Sequence, residues 1–509
     1  MKKIKGLMKV KHALFELIKS MTMSEKRYFK IYSSKHVIGQ NNDYVLLFNF
    51  MDKSEDYDED ILQKQSFVKN LSAEKNYLYN LILRGLNAFH ASFNSKTQIY
   101  QLLESIEILY HKGLYSQALK LVKKASKIAT TSELFTQCLV LNEIKTELLS
   151  KQFLYEEASL NIAKANEFLA IITNFNSIQQ ITTDSYDQQV KMGLSRSNED
   201  SNLLETFAKN KKINNSKYSM SNRGQMYING LNLTYSYFIG NKAQTLKYSQ
   251  LMTHQYEEYP YIIEYSTIGY VSSLYNLVNA YLDNGLEAEA LRVLEKLENT
   301  KEKFGIPTSY NISARVFFYS NIIRLGLYLN QDRYEDSKIL IENNKPSLEK
   351  FKGYVVKPQL YEYYFLVTKY YIVSGEYNNA LRFTNLILND NNFKLRDDLL
   401  SVVKLMNILI HFELNRDFSI EYLTKNTLNY FKKKKRLYKV EKELIKFMSF
   451  QGKIDNGEVR MNELKQLRNA MKEFKKDKFE SIPFKLFDFE YWATAKTQNK
   501  LICDSILPD

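Results

Sequence analysis

Proline and glycine are scarce, 6 and 16 residues in a chain of 509. A sandwich or barrel of this length turns about every ten residues and would use far more of both, so the shortage excludes those folds and leaves long helices joined by short polar loops. Cysteine is scarcer still. Cys138 and Cys503 lie far apart and form no CxxC pair, which argues for a reducing compartment and against a structural zinc site. Long apolar runs are also missing. The longest uncharged stretch, Tyr265 to Leu282, carries two Asn, three Ser and a Thr. A bilayer penalises that many polar groups, so a buried helix is expected there and no membrane span. The N-terminus has the lysines a signal peptide uses, but Lys9, Lys11, His12 and Glu16 interrupt its apolar run and no small-residue cleavage site follows. A cytoplasmic protein is the expectation.

Local signatures of chemistry are absent too. There is no GxxxxGK[ST], and the nearest segment, Gly240-Asn241-Lys242, lacks the upstream glycine and the hydroxyl residue that would hold magnesium. GxGxxG does not occur, and no two glycines stand closer than five residues apart, so no backbone loop is built to wrap phosphates. None of the histidines at 12, 36, 90, 111, 254 and 411 has another three or four residues away or a Glu in HExxH register. No GxSxG elbow surrounds a serine, and neither cysteine has a nucleophile signature. The acidic pairs Glu156-Glu157 and Asp397-Asp398 fall at helix starts or in loops, where solvation or capping explains them. No catalytic residue, metal or cofactor is therefore predicted, and the chain is not expected to be an enzyme.

What is abundant is core material and positive charge. Hydrophobic residues make up 44% and aromatics 14%, with 38 Tyr and 30 Phe, so this is not a disordered chain. The net charge of +14 is uneven: about +6 falls in the first hundred residues and about +7 after Tyr430, with the middle close to neutral. Basic ends are compatible with nucleic acid as a partner. The lysine clusters at 432–435 and 475–478 suit RNA, an acidic protein or a membrane surface, against the competing reading of a solvated helix face. Aromatics are not interleaved there as a stacking platform for single strands requires.

Taken in order, the chain begins with an amphipathic helix from Leu7 to Ser20, with Leu7, Val10, Leu14, Leu17 and Ile18 on one stripe. Ser24 is expected to cap a second helix with Tyr28, Phe29, Ile31 and Tyr32 inward, followed by a loop at Gly39. A third helix spans Tyr44 to Met51. The acidic segment Asp52 to Asp60 supplies caps for a fourth helix reaching about Asn70. Ser72 then caps a long helix with Tyr77, Leu78, Leu81, Ile82, Leu86 and Phe89 buried. A short helix, a tight turn at Asn70 to Ser72 and a helix turning Lys75, Asn76, Tyr79 and Arg84 outward fit a helix-turn-helix unit, and equally two packed helices of a bundle.

From Gln98 onward a helical hairpin recurs. In Ile106 to Ala129 an apolar helix ends near His111-Lys112, Gly113 makes the turn, Tyr115 opens the next helix, and Ala118 and Ala125 sit on one face of it, where small side chains let helices approach closely. Further anchors are Ala158, Ala290, Ser337 and Ala380, with weaker units at Gly240 to Thr245 and Arg416 to Glu421. Neighbours are separated by roughly 40 to 47 residues, so a degenerate unit is expected between Ile171 and Lys209. These segments resemble the tetratricopeptide repeat family, whose pattern places Gly at the turn, an aromatic two residues on, Ala three after that and a second Ala seven further. Gly113, Tyr115, Ala118 and Ala125 match all four positions. Gly375, Tyr377 and Ala380 match three, with Ile387 at the fourth, and Tyr155, Ala158 and Ala165 match with Phe153 where Gly belongs. Gly285 and Ala290 are kept around Glu287, and Tyr334 survives alone. The family's period is 34, so longer helices or loops are implied here.

The expected architecture is all-α: an N-terminal helical bundle over 1–95, an α-α superhelix of six to eight stacked antiparallel hairpins over 96–430, and a basic helical cap over 431–509 whose aromatic segment FKLFDFEYWATAK covers the last hairpin. The expected function is a non-catalytic protein–protein interaction scaffold that binds a peptide or partner protein along its concave face, where the resemblance puts Tyr237, Tyr275, Asn279 and Lys369. The alternative is a transcriptional regulator with a DNA-binding N-terminal bundle contacting nucleic acid through Lys75, Asn76, Tyr79 and Arg84 and a repeat array as sensor. An enzyme with a site assembled from distant residues is a third class, with no local signal behind it.

Overall fold

A computed structural model of the chain describes residues 12–34, 43–92, 94–210, 221–300, 310–390, 396–451 and 457–505. Among the described residues there are twenty-four α-helices, two short 3-10 turns and no strand. The chain forms two compact units. One is Met1–Ile172, and the other comprises Thr173–Pro307 and Asn311–Asp509.

The first unit opens with α1 (Ala13–Ser20), α2 (Met23–Ser34), α3 (Asp43–Lys53), α4 (Glu59–Gln63) and α5 (Leu71–Phe89). Leu14, Ile18, Phe29, Leu47, Phe48, Leu78 and Ile82 form its core. Leu7, Val10 and the Gly39 loop lie outside the described residues. The caps differ from those expected. Thr22 and Glu25 bond reciprocally to each other's backbone N–H, which starts α2 at Met23 and leaves Ser24 inside the helix. The Asn70 side chain accepts the Ala73 N–H, and Glu74 accepts from Lys69 and Asn70, so α5 starts at Leu71 and Ser72 is not its cap. Ile31, Tyr77 and Phe89, expected to be buried, are exposed.

Next come α6 (Ser95–His111), α7 (Tyr115–Thr131) and α8 (Phe135–Lys151), each of 17 residues, and α9 (Tyr155–Met192). Three identical turns join them. The backbone is left-handed at Gly113, Glu133 and Phe153, and the next residue's N–H donates to the carbonyl five back: Leu114 to Leu109 at 2.9 Å, Leu134 to Ala129 at 2.9 Å and Leu154 to Leu149 at 3.0 Å. This is the Schellman ending, which satisfies carbonyls a helix terminus would otherwise leave open. Ala118, Ala125 and Ala129 are wholly buried along α7, and Cys138 fills the corresponding small-residue slot of α8. Asn142 and Asn161 then tie α8 to α9, each side-chain amide donating to the other's backbone carbonyl, at 2.8 and 2.7 Å.

No hairpin interrupts α9. Its 38 residues run unbroken to Met192, and the range Ile171 to Lys209, where a degenerate unit was expected, holds the end of this helix, a left-handed turn at Gly193 and α10 (Asn198–Ala208). The second unit continues with α11 (Asn222–Phe238), α12 (Lys242–Glu258), α13 (Pro260–Tyr265), α14 (Thr267–Asp283), α15 (Glu287–Glu298), α16 (Tyr310–Asn330), α17 (Tyr334–Phe351), α18 (Lys357–Val373), α19 (Tyr377–Leu388), α20 (Asp397–Glu413), α21 (Asp417–Lys434), α22 (Lys439–Gln451), α23 (Gly457–Phe474) and α24 (Phe489–Thr497). Consecutive helices pack on one another. Left-handed turns recur at Gly240, Gly285, Asp332, Gly375 and Asn415, and five residues beyond each stand the buried Thr245, Ala290, Ser337, Ala380 and Ile420. The last turn corrects the expected register by one residue: Asn415 makes it and Ile420 packs inward, while Glu421 is exposed. Residues beyond 430 share one core with α16 to α21, and Trp492 is buried there against Phe412 and Phe447, its indole N–H donating to Glu413 at 2.7 Å. No described helix is long and apolar enough to cross a membrane.

Candidate binding surface

In the second unit the first helices of successive pairs, α14, α16 and α18, converge on a strip of phenols and polar groups. The rings of Tyr275 and Tyr319 stack with centroids 4.1 Å apart and planes 15° from parallel. The Tyr319 hydroxyl gathers three neighbours: Ser272 at 3.1 Å, Arg315 at 3.3 Å and Gln359 at 3.4 Å. Tyr275 donates its hydroxyl to Glu362 at 2.9 Å. Burial pushes the Glu362 carboxyl above its ordinary range despite that bond and the nearby Arg396, and burial together with Glu362 holds the Tyr275 phenol protonated. Two buried polar atoms of this strip, Arg315 Nε and Gln359 Oε1, have no hydrogen-bond partner among the described residues. A buried donor and a buried acceptor left open are costly unless something outside the chain satisfies them.

Tyr237, at the end of α11, receives a hydrogen bond from Arg396 at 3.4 Å, and Arg396 is fixed by a two-bond pairing with Asp398 at 2.7 and 3.0 Å. Of the four residues expected on the concave side, the structure thus carries Tyr237 and Tyr275 into one polar system. Asn279 donates to the Tyr275 carbonyl of its own helix, which leaves it a packing role. Lys369 stands apart, 3.5 Å from Asn330, and burial lowers its pKa. Sequence reasoning missed Arg315, Tyr319, Gln359 and Glu362. The signal that would find them is a polar or aromatic residue at matching positions on successive first helices, which the irregular spacing of these hairpins conceals.

The N-terminal residues behave differently. α4 ends at Gln63, so seven residues, 64–70, separate it from α5 where a tight turn was expected. Lys75 is engaged by Glu59 at 2.6 Å and the Tyr57 hydroxyl at 2.9 Å; burial disfavours its charge, but these partners outweigh it and raise the pKa. Lys75, Asn76 and Tyr79 line one crevice of about 470 Å³ beside Phe15 and Tyr57, while exposed Arg84 lies two turns further along α5 and is not part of it.

A third set of charges is interior. Arg196 pairs with Glu441 through both guanidinium nitrogens, donates to the Phe479 carbonyl at 3.2 Å and lies over the Tyr438 ring at 3.9 Å. Glu480 lies 3.6 Å away and accepts the Lys439 and Val440 N–H groups. The cavity beside them is about 20 Å³, room for roughly one water, so this network fastens helices and holds no ligand. Among the described residues no group of three or more His, Cys, Asp or Glu is placed to hold a metal ion.

No family model matches this chain, and comparison with curated proteins and with solved structures gives no match.

Proposed function

We propose that the chain is a non-catalytic interaction scaffold whose helix pairs are arranged as in tetratricopeptide repeats, and that the strip on α14, α16 and α18 receives an extended segment of a partner protein. The observation that carries this reading is the pair of buried, unsatisfied atoms on that strip, Arg315 Nε and Gln359 Oε1. Both atoms are covered in the free chain, so a partner segment reaches them by displacing the side chains above; a peptide backbone then offers a carbonyl to the first and an N–H to the second. Tyr237, held by Arg396, extends the same polar character.

The test is affinity capture from lysate with the full chain, with and without nuclease, followed by binding of synthetic peptides from the captured protein. Capture that survives nuclease, together with a loss of about tenfold in peptide affinity for Arg315→Ala or Gln359→Ala at unchanged thermal stability, supports the scaffold. Loss of all captured material on digestion, or peptide binding indifferent to both substitutions, rejects it.

A further inference from the structure

In the first unit, α9 leaves open a helix face that the same array covers on α7. The two helices start forty residues apart, at Tyr115 and Tyr155, each after a left-handed turn. By that offset Val122 and Ala129 of α7 correspond to Ile162 and Leu169 of α9. Val122 and Ala129 are 0% exposed, in the core that α6 and α7 share with α8. Ile162 and Leu169 are 55% and 46% exposed, because among the described residues no helix takes against α9 the place that α8 takes against α7. The composition of the helix goes with the exposure. Lys120 and Lys123, which are solvated on α7, stand where α9 carries the equally exposed Leu160 and Ala163. A face left to water would keep such polar groups.

Phe153 is a second, independent observation at the same place. It holds the turn position that Gly113 and Glu133 hold in the two preceding turns, with φ +62°, and it is 78% exposed. A bulky side chain in that conformation costs on the order of 1–2 kcal/mol, and burial within the chain offsets little of it. Its ring meets Tyr155 edge-on, with centroids 6.2 Å apart. A strained aromatic held out to water gains an offsetting contact from a molecule that packs on it. Phe153, Leu154, Tyr155, Ile162 and Leu169 together expose on the order of 600 Å², taking roughly 200 Å² for each whole side chain. Two such patches face to face would remove about 1,200 Å² from water, the lower end of what stable interfaces bury.

We propose that this face binds a second copy of the chain through an antiparallel α9–α9 contact. Tyr155, Ile162 and Leu169 recur every seven residues and form one stripe, and the exposed Ser159, Ala163, Asn166 and Ala170 beside them are short enough for a second helix to approach closely. The stripe is symmetric about Ile162. An antiparallel copy sets Ile162 on Ile162 and Tyr155 on Leu169 in both directions, which is what a twofold contact requires. Glu157 and Lys164 project from the opposite side of the helix. Glu156 and Glu167 lie on the open flank, where each approaches the other's counterpart in the second copy, so the contact is hydrophobic at its centre and mildly repulsive at its solvated edge. The inference uses no residue of the strip on α14, α16 and α18 and stands apart from the peptide-scaffold reading.

The experiment is sedimentation velocity of the full chain from about 1 to about 100 μM, where an interface of this size is expected to give a reversible monomer–dimer equilibrium. Ile162→Glu combined with Leu169→Glu, both at solvent-exposed positions, is expected to weaken the dimer by more than about a hundredfold with helicity retained by circular dichroism. Glu167→Lys turns the approach to Glu156 of the second copy into an attraction and is expected to tighten the dimer several-fold, more at low salt than at high. Ile108→Glu, at an exposed apolar position on α6, is the control and should leave the equilibrium unchanged. The proposal is overturned if the chain stays monomeric at the highest concentration, which would leave the face to a helix of another protein. It is equally overturned if the dimer survives the double substitution, or if Ile108→Glu disrupts it as strongly.

Discussion

Ion pairs in the unit up to Ile172 stay within reach of solvent, as in Lys26–Asp52 with side chains 15% and 23% exposed and Lys75–Glu59 with 21% and 43%. Beyond Thr173 the key pair is Arg196–Glu441, with 6% and 1%. The first unit's repeat region closes its helices through undersized side chains, Ala118, Ala125, Ala129 and Cys138, under turns spaced twenty residues apart at 113, 133 and 153. The second unit interrupts that rhythm with the unbroken α9 and with α10, and at the interruption it buries charge. The contrast teaches that a regular array needs only close apolar contact between neighbours, whereas a break in the array demands long-range fasteners, and these are polar because they must also satisfy open backbone groups, as Glu480 does for the first two N–H groups of α22, Lys439 and Val440.

The contrast breaks if the second unit proves indifferent to its buried charges. Glu441→Ala strands the Arg196 guanidinium, and a loss of about 3–5 kcal/mol is expected, confined to the second unit. Urea titration read by peptide-resolved hydrogen exchange checks it: equal loss of protection in both units would refute the division. Ala118→Leu should act in the opposite place, costing about 1–3 kcal/mol by overpacking the α6–α7 contact and lowering protection only before Ile172.

The two turn glycines sharpen the comparison further. Gly193 has φ +70°, and a Cβ there would lie 2.6 Å from Asp398, so Gly193→Ala combines backbone strain of about 1 kcal/mol with displacement of the carboxylate that receives the Leu194 N–H. Gly113, at φ +72°, has nothing within 4 Å of the same position. Gly113→Ala should cost only the strain, about 1 kcal/mol, and a difference in midpoint between the two variants measures what the buried charge adds.

The smallest expected effect is a response to acid. Burial tends to raise the Asp398 pKa, but Arg396 and the N–H groups of Leu194 and Leu399 outweigh it and hold the carboxyl below the ordinary range. A folded pKa below the unfolded one means the contribution is present above about pH 4 and is lost as pH falls through the folded value. Exchange protection of the 193–200 segment should therefore fall on acidification, and Asp398→Asn should flatten that response. An unchanged pH profile in the variant would show that another group is responsible.

The parts of the fold legible in the sequence are those encoded within one turn. Gly113 with Ala118, Gly285 with Ala290 and Gly375 with Ala380 announce a left-handed ending and a close helix contact within six residues. The same turn built on Glu133 gives no such notice, because a side chain at positive φ is uncommon, and the one on Asn415 was expected one residue out of register; the turn at Asp332 was legible only through Ser337 five residues on. The length of α9 was hidden for the converse reason: nothing in its 38 residues breaks a helix, and the repeat spacing asked only for a unit somewhere between Ile171 and Lys209. Arg196 and Glu441 stand 245 residues apart, a separation at which sequence alone holds no clue to pairing. The candidate strip was half legible. Tyr237 and Tyr275 follow from their place on first helices, whereas Arg315, Tyr319, Gln359 and Glu362 gain meaning only once three helices are brought side by side.

The chain has a single tryptophan, and it is packed with Phe412 and Phe447 in the second unit. Indole emission excited near 295 nm, a wavelength where the 38 tyrosines absorb little, is therefore a natural optical label for that unit and silent for the other. With Glu413 at its N–H and lipid-like surroundings at its face, the emission should be blue-shifted in the native protein and move to the red on melting. A fluorescence trace that precedes or lags the far-ultraviolet dichroism of the whole chain would reveal sequential loss of order with no added dye.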